Sequence, residues 1–194
     1  MDPEFHQLCG ASLKIILGID PGSINLGYGL VGITNGRIEY LKHGVFSCSP
    51  TVPFQQRIYQ IAEQLEQLFA ENRPHITVIE NIFLGKNADS AFKLGHIRGI
   101  CLLYAAKSQS EIVEYAAKSV KKGITGSGAA SKEQVQMLLY ALLGLRGAVA
   151  ASEKIDASDA LSLAYYHAKQ IETEENMTRG LGVARRGRNN EVDR

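Results

Sequence analysis

The apolar positions of this chain switch between two periods. Residues 13–19 (LKIILGI) are almost continuously apolar and predict a central strand covered on both faces. Residues 27–33 and 38–46 predict two more strands, joined at Asn35-Gly36, a pair that accepts the positive φ of a tight hairpin turn. From Phe54 the spacing becomes helical. Phe54, Ile58, Ile61, Ala62, Leu65, Leu68 and Phe69 make one stripe, and the helix must end before Pro74. Residues 76–79 form a short β-branched run, residues 87–107 a second helix and residues 112–115 a fifth strand. Residues 123–128 are glycine-rich and predict a flexible loop. Ser131 is placed to cap a helix running to about Leu145, and Asp156 opens a last helix to about Gln170. No internal repeat interrupts this order. A three-strand meander followed by alternating helices and strands predicts an α/β fold: a mixed five-stranded sheet with helices on both faces and the meander at one edge.

Length and composition narrow the class. A chain of 194 residues suits one domain, assigned to residues 13–171. With 45% hydrophobic and 21% charged residues it belongs with globular rather than disordered proteins. No apolar run reaches the roughly 20 residues of a membrane helix, and no secretory signal is visible, so a cytoplasmic protein is expected. Cys9, Cys48 and Cys101 are odd in number and scattered, which suits a reducing compartment and spells no zinc spacing. Residues 1–12 lack periodicity and read as an expression leader. Residues 172–194, acidic and then basic with no apolar face, read as a disordered tail. A net charge of +1 neither favours nor excludes a nucleic-acid partner, because binding follows local patches.

The candidate chemistry is acidic. Asp20 ends the first strand and Glu80 ends the fourth, each after strictly apolar residues, and ligands of open α/β sheets gather where strands end. Asp156 and Asp159 are three apart at a helix start, hence on one face. Plainer roles exist for each alone. Asp20 before Pro-Gly suits a turn, Glu80 a strand end at the surface, and Asp156 an N-cap with Asp159 facing the helix dipole. A phosphate-binding hairpin of the sugar-kinase type would also begin this way, but it normally needs two such domains. Were the four carboxylates to converge, divalent cations would resolve their repulsion. Hard oxygen donors suit Mg²⁺ or Mn²⁺, and two ions about 4 Å apart activate water and stabilise the leaving oxygen of a phosphodiester.

The segments GIDPGSINLGYG, IENIFLGKNADSAFKLGHIRG, EYAAKSVKKGITGSGAASKEQVQ and DASDALSLAYYHA, in this order, resemble the bacterial RuvC-type Holliday-junction resolvases from about Leu13 to His167. The resemblance implies a ribonuclease H-like fold. It also implies a homodimer that uses Mg²⁺, with Mn²⁺ as substitute, to nick two strands of a four-way DNA junction symmetrically. A branch-migration helicase is the partner expected by analogy. Carried over by motif, Asp20, Glu80, Asp156 and Asp159 are the implied metal ligands; some relatives have histidine at the position of Asp156. Phe83 is implied to stack on bases near the crossover, and Lys121 and Lys132 to lie near the scissile phosphate.

Local charge fits these implications. Lys86, Lys93 and Arg98 follow the Glu80 strand, while Lys118, Lys121, Lys122 and Lys132 surround the glycine-rich loop; such patches neutralise phosphates whatever the total charge. Singly, Lys93 and Lys118 read better as solvated helix lysines. Tyr115, at a strand end by the basic loop, reads as well as core. Ala91, Gly95 and Gly99 put small residues on one stripe of the second helix, near Phe92 and Leu103. Intramolecular packing is the default for such a stripe, but the resemblance places this helix in a dimer interface. His96 and His167 are assigned no catalytic role.

Overall fold

The computed structural model describes residues 12–81, 88–145 and 155–189, with side chains described to Thr178. Five strands form one mixed sheet: β1 (Lys14–Asp20), β2 (Asn25–Thr34), β3 (Arg37–Ser47), β4 (Ile76–Glu80) and β5 (Glu111–Tyr115). Their order is β3-β2-β1-β4-β5. The first three pair antiparallel as a meander, while β4 runs parallel to both β1 and β5. The Asn35-Gly36 turn takes positive φ at both residues (55° and 78°), as its sequence demands. A bulge at Leu30/Val31 opposite Leu41 absorbs one residue of β3.

Five helices are present among the described residues: α1 (Phe54–Asn72), α2 (Ala88–Lys107), α3 (Ala117–Thr125), α4 (Lys132–Leu142) and α5 (Ile155–Asn189). Strand alternation divides the core in two. Leu17, Ile19, Leu26, Leu30 and Ile79 face Ile61, Leu65 and Phe69 of α1 and Ile97 and Cys101 of α2. Ile16, Val31, Ile33, Ile76 and Val78 face α3, α4 and α5 through Val120, Leu139, Leu161 and Ala164. The expected three-layer arrangement is therefore present, with helices on both faces of the sheet.

α5 lies unusually close to the sheet. A Cβ on Gly18 would fall 2.0 Å from the Ala160 carbonyl oxygen, one on Gly27 2.0 Å from that of Asp156, and one on Gly29 2.4 Å from the Leu161 Cα. Gly18 pairs with Gly29, and Asp20 with Gly27, so all four residues share one face of the β1–β2 ladder. The glycines leave a smooth trough for the helix, and Asp20 stands at its end.

Three segments differ from expectation. Residues 117–125 form helix α3, of which the latter part was read as loop. Only Val120 and Ile124 are buried there, too few positions to set a period, and the helix closes on Gly126 at φ 79°. α4 ends at Leu142 rather than Leu145; Gly144, at φ 68°, lies just beyond it. The last helix does not stop near Gln170 but continues through the segment read as a disordered tail to Asn189. An apolar face is needed for packing, not for helix formation. Lys169 pairs with Glu172, and the Thr173 and Thr178 hydroxyls donate to carbonyls one turn back. No helix among the described residues is long and apolar enough to cross a membrane.

Candidate metal-dependent nuclease site

The parallel register of β1 and β4 pairs Ile19 with Ile79, so Asp20 and Glu80 leave neighbouring strands at the same level. Both point to the α5 side, in step with Gly18 and Val78 two residues before each. Asp159, on the second turn of α5, reaches the same place because the glycine trough seats that helix directly on β1 and β2. Lys132 arrives from the third side. It is the first residue of α4, whose start is fixed by a capping box: the Ser131 hydroxyl accepts from the Gln134 N–H (3.2 Å), and the Ser131 N–H donates to Gln134 Oε1 (2.9 Å). The Lys132 ammonium donates to Asp159 Oδ2.

Asp20, Glu80, Lys121, Lys132, Asp159 and Ser162 line a cleft of about 60 Å³, with Ala117, Val120, Val135 and Leu163 as its apolar wall. Its volume admits about two water-sized groups. Lys121 is steadied by donating to the Ala130 carbonyl (3.1 Å). The Ser162 hydroxyl donates to the Ser158 carbonyl within α5, which gives it a structural role.

The electrostatics of the cleft are those of crowded acids. Burial is the main cause that raises the Asp20 carboxyl from 3.8 to about 8. The Glu80 charge, a hydrogen bond with Glu80 and the Asp159 charge add to it, and Lys132 opposes them. Burial alone would lower the Lys132 ammonium; its bond with Asp159 and the charges of Asp159, Asp20 and Asp156 outweigh that and raise it. Lys132 thus offsets part of the negative charge. Among the described residues no three metal-capable side chains are drawn tightly around a single point. The donor set itself fits a hard divalent cation: three carboxylates, no sulfur and no imidazole.

The other expected site residues are distributed as follows. Asp156 lies in the first turn of α5, its main chain over Gly27, close enough to act on Lys132 but not lining the cleft. Lys118 and Lys122 are exposed on α3 beside the cleft. Lys93 and Arg98 are on α2, on the other face of the sheet, and each already holds a carboxylate, Asp89 and Glu114 respectively. Phe83 and Lys86 lie outside the described residues. Two contributors were not anticipated. The glycine trough shows in the sequence as Gly27 and Gly29, two apart in a strand and opposite Gly18. Arg57 shows as a charge within the apolar stripe of α1, four residues before Ile61; it is 8% exposed. A larger cleft of about 550 Å³, bordered by Lys14, Ile76, Glu111 and His167, opens at the opposite end of the strands and contains none of the expected site residues.

Comparison with known proteins bears directly on this site. The family model described as "Crossover junction endodeoxyribonuclease RuvC" matches residues 16–167, which include all four acids. A protein of that name from Bdellovibrio bacteriovorus is 44% identical over 169 residues, covering 87% of this chain and 98% of the relative. One from Marinobacter nauticus is 40% identical over 176 residues, covering 91% and 98%. Among solved structures, Thermus thermophilus RuvC in complex with a Holliday junction substrate superposes with a TM-score of 0.71 at 26% identity, covering 82% of this chain and 96% of that one. The yeast mitochondrial Holliday junction resolvase shares the fold at 16% identity, with a TM-score of 0.59. With a ribonuclease H-like sheet, acids at the ends of its central strands and a family match over most of its length, this chain belongs to the RuvC family of crossover junction endodeoxyribonucleases.

Proposed function

We propose that this chain is a structure-selective, metal-dependent endonuclease that resolves four-way DNA junctions in recombination and repair by paired symmetric nicks. One observation carries the reading: Asp20, Glu80 and Asp159, drawn from three separate elements, meet with Lys132 in one cleft of a RuvC-family chain.

Asp20, Glu80 and Asp159, with Asp156 at the rim, would hold Mg²⁺, with Mn²⁺ able to substitute and two ions per site. Bound there, the cations supply an activated water and a stabilised leaving oxygen. The chain's own residues do the rest. The strand ends hold the carboxylates rigidly where phosphate arrives. Lys132, which stands in the same cleft, would offer its ammonium to the negative phosphate, where charge matters most in the transition state. Lys118, Lys121 and Lys122 approach the flanking phosphates from α3. Phe83 stacks on a base near the crossover. The functional unit is a homodimer, delivered to its substrate by a branch-migration helicase in the bacterial cytoplasm.

The test is incubation with Mg²⁺ and either a synthetic four-way junction or a linear duplex of the same sequence. Paired nicks on strands of like polarity, in the junction alone, are expected. Binding without cleavage would identify a junction-binding protein instead, and equal cutting of the linear duplex a different ribonuclease H-like nuclease.

A further inference from the structure

Among the described residues Arg57 is buried without a carboxylate partner. It is 8% exposed, and among the described residues none of its nitrogens forms an ion pair and its Nε has no hydrogen-bond partner. Its Nη1 donates to the Ser23 main-chain carbonyl at 2.8 Å, and its guanidinium carbon lies 5.5 Å from the centre of the Phe54 ring. A buried cation held by one carbonyl and one aromatic ring is an expensive way to fill space. Its single strong contact therefore points to its use.

Ser23 belongs to the turn 21–24, which leaves β1 directly after Asp20. That turn is held from two other directions. A Cβ on Gly22 would lie 1.8 Å from the Asn25 carbonyl oxygen, so the chain folds back on itself with no room to spare. On the far side, the Cys48 N–H donates to the Ile24 carbonyl at 2.8 Å. Arg57 supplies the third tether, from α1, across the sheet from the cleft. The turn needs restraint because the carboxylate it follows is repelled by Glu80 and Asp159. A carboxylate on a loose strand end would swing away from that repulsion, and each later arrival of a cation would have to draw it back.

We infer that Arg57 is a positioning residue of the nuclease site: by clamping the 21–24 turn it holds Asp20 in the cluster, and so sets metal affinity rather than junction affinity. This inference rests on the metal-dependent reading above, and one titration separates the two. Mn²⁺ binding to the full chain, without DNA, is followed by electron paramagnetic resonance for wild type, Asp20→Asn, Arg57→Gln and Arg57→Lys. Junction affinity is measured alongside without divalent metal. Arg57→Gln is expected to bind Mn²⁺ about ten-fold more weakly, the range typical of residues that orient ligands, with junction affinity unchanged. Arg57→Lys, which keeps the charge and a donor for Ser23, is expected to recover most of the loss. Ile61→Val, a neighbouring core change in α1, controls for lost stability and is expected to bind Mn²⁺ as wild type does.

If Asp20→Asn binds Mn²⁺ as wild type does, the metal reading itself has failed. If Asp20→Asn is weakened and Arg57→Gln is not, or if Ile61→Val shows the same loss, the positioning role alone is overturned. Should Arg57→Gln not fold, Gly22→Ala decides by the same readout. It forces the turn apart from the other side with Arg57 intact, and unchanged affinity in it overturns the role.

Discussion

Asp20 carries a cost in the folded chain. Unfolded, its carboxyl titrates near 3.8; folded, burial and the neighbouring acids move it to about 8. Between those values the folded chain keeps a proton that the unfolded chain has released. The contribution to stability is therefore complete below about pH 4 and is lost as the pH rises to 8. Asp20→Asn removes the titration. In the presence of chelator at pH 8 it is expected to melt several degrees higher than wild type, a gain on the order of a few kcal/mol. The difference should vanish toward pH 4. Added Mg²⁺ should stabilise wild type and not the variant, which should bind junctions but not cut them. Thermal melts across pH, with chelator and with Mg²⁺, check all three. A variant no more stable than wild type at pH 8 would mean that the acids are not crowded in solution. Asp20, Glu80 and Asp159 were legible at this scale because a charge that ends an apolar strand, or shares a helix face with another acid, is conspicuous. Arg57 was not: one polar residue within a helical stripe reads as noise until its carbonyl partner, 34 positions away, is known.

The elements position this chemistry through shape. α5 brings Asp156 and Asp159 to the strand ends only because Gly18, Gly27 and Gly29 let its main chain approach the sheet. Gly29→Val should therefore act on the site from a distance. Its side chain would meet the Leu161 main chain, and an overpacked contact of this kind costs roughly 1–3 kcal/mol or more. Displacement of α5 should remove Asp159 from the cleft, so cleavage is expected to fall far more than stability alone accounts for. Leu161→Ala in the same background, which removes bulk at the contact, should restore part of the activity. Melting temperature and junction cleavage, measured on both variants, test this. Equal cleavage by Gly29→Val and wild type would show that the trough is not what sets the helix. β1, β2, β4 and α1 could be read from sequence because their apolar residues run through the core, the last as a stripe of Ile61, Leu65, Leu68 and Phe69. α3 could not, since it buries only Val120 and Ile124. The course of α5 beyond Gln170 was missed because residues 172–178 are mostly polar and charged and carry no apolar stripe to mark a helical period.

At the scale of the molecule, the described residues of one chain hold one acidic cleft, and resolving a junction takes two cuts. A four-way junction has approximate two-fold symmetry, so a two-fold dimer with one cleft per protomer matches it. α2 has the surface for such a partner. Its buried side is Ile97, Cys101 and Ala105, while Phe92 and Leu103 are 71% and 62% exposed. Among the described residues a Cβ on Gly95 or Gly99 would meet nothing within 4 Å, so packing among them does not account for these glycines. A second α2 laid along the stripe of Ala91, Gly95 and Gly99 would approach closely and cover both apolar side chains. Because the positions are open in the single chain, Gly95→Leu should leave the fold and its melting temperature in the monomer intact. It should shift sedimentation toward monomer and lower productive resolution by about ten-fold or more at dilute protein. A mixed dimer of one wild-type and one Asp20→Asn chain, purified on two different tags, separates the roles of the two clefts. On a cruciform plasmid it should yield nicked circles, where wild type yields linear product. Linear product from the mixed dimer at the wild-type rate would mean that one cleft cuts both strands, and the symmetry of the junction would then give no reason to expect a dimer.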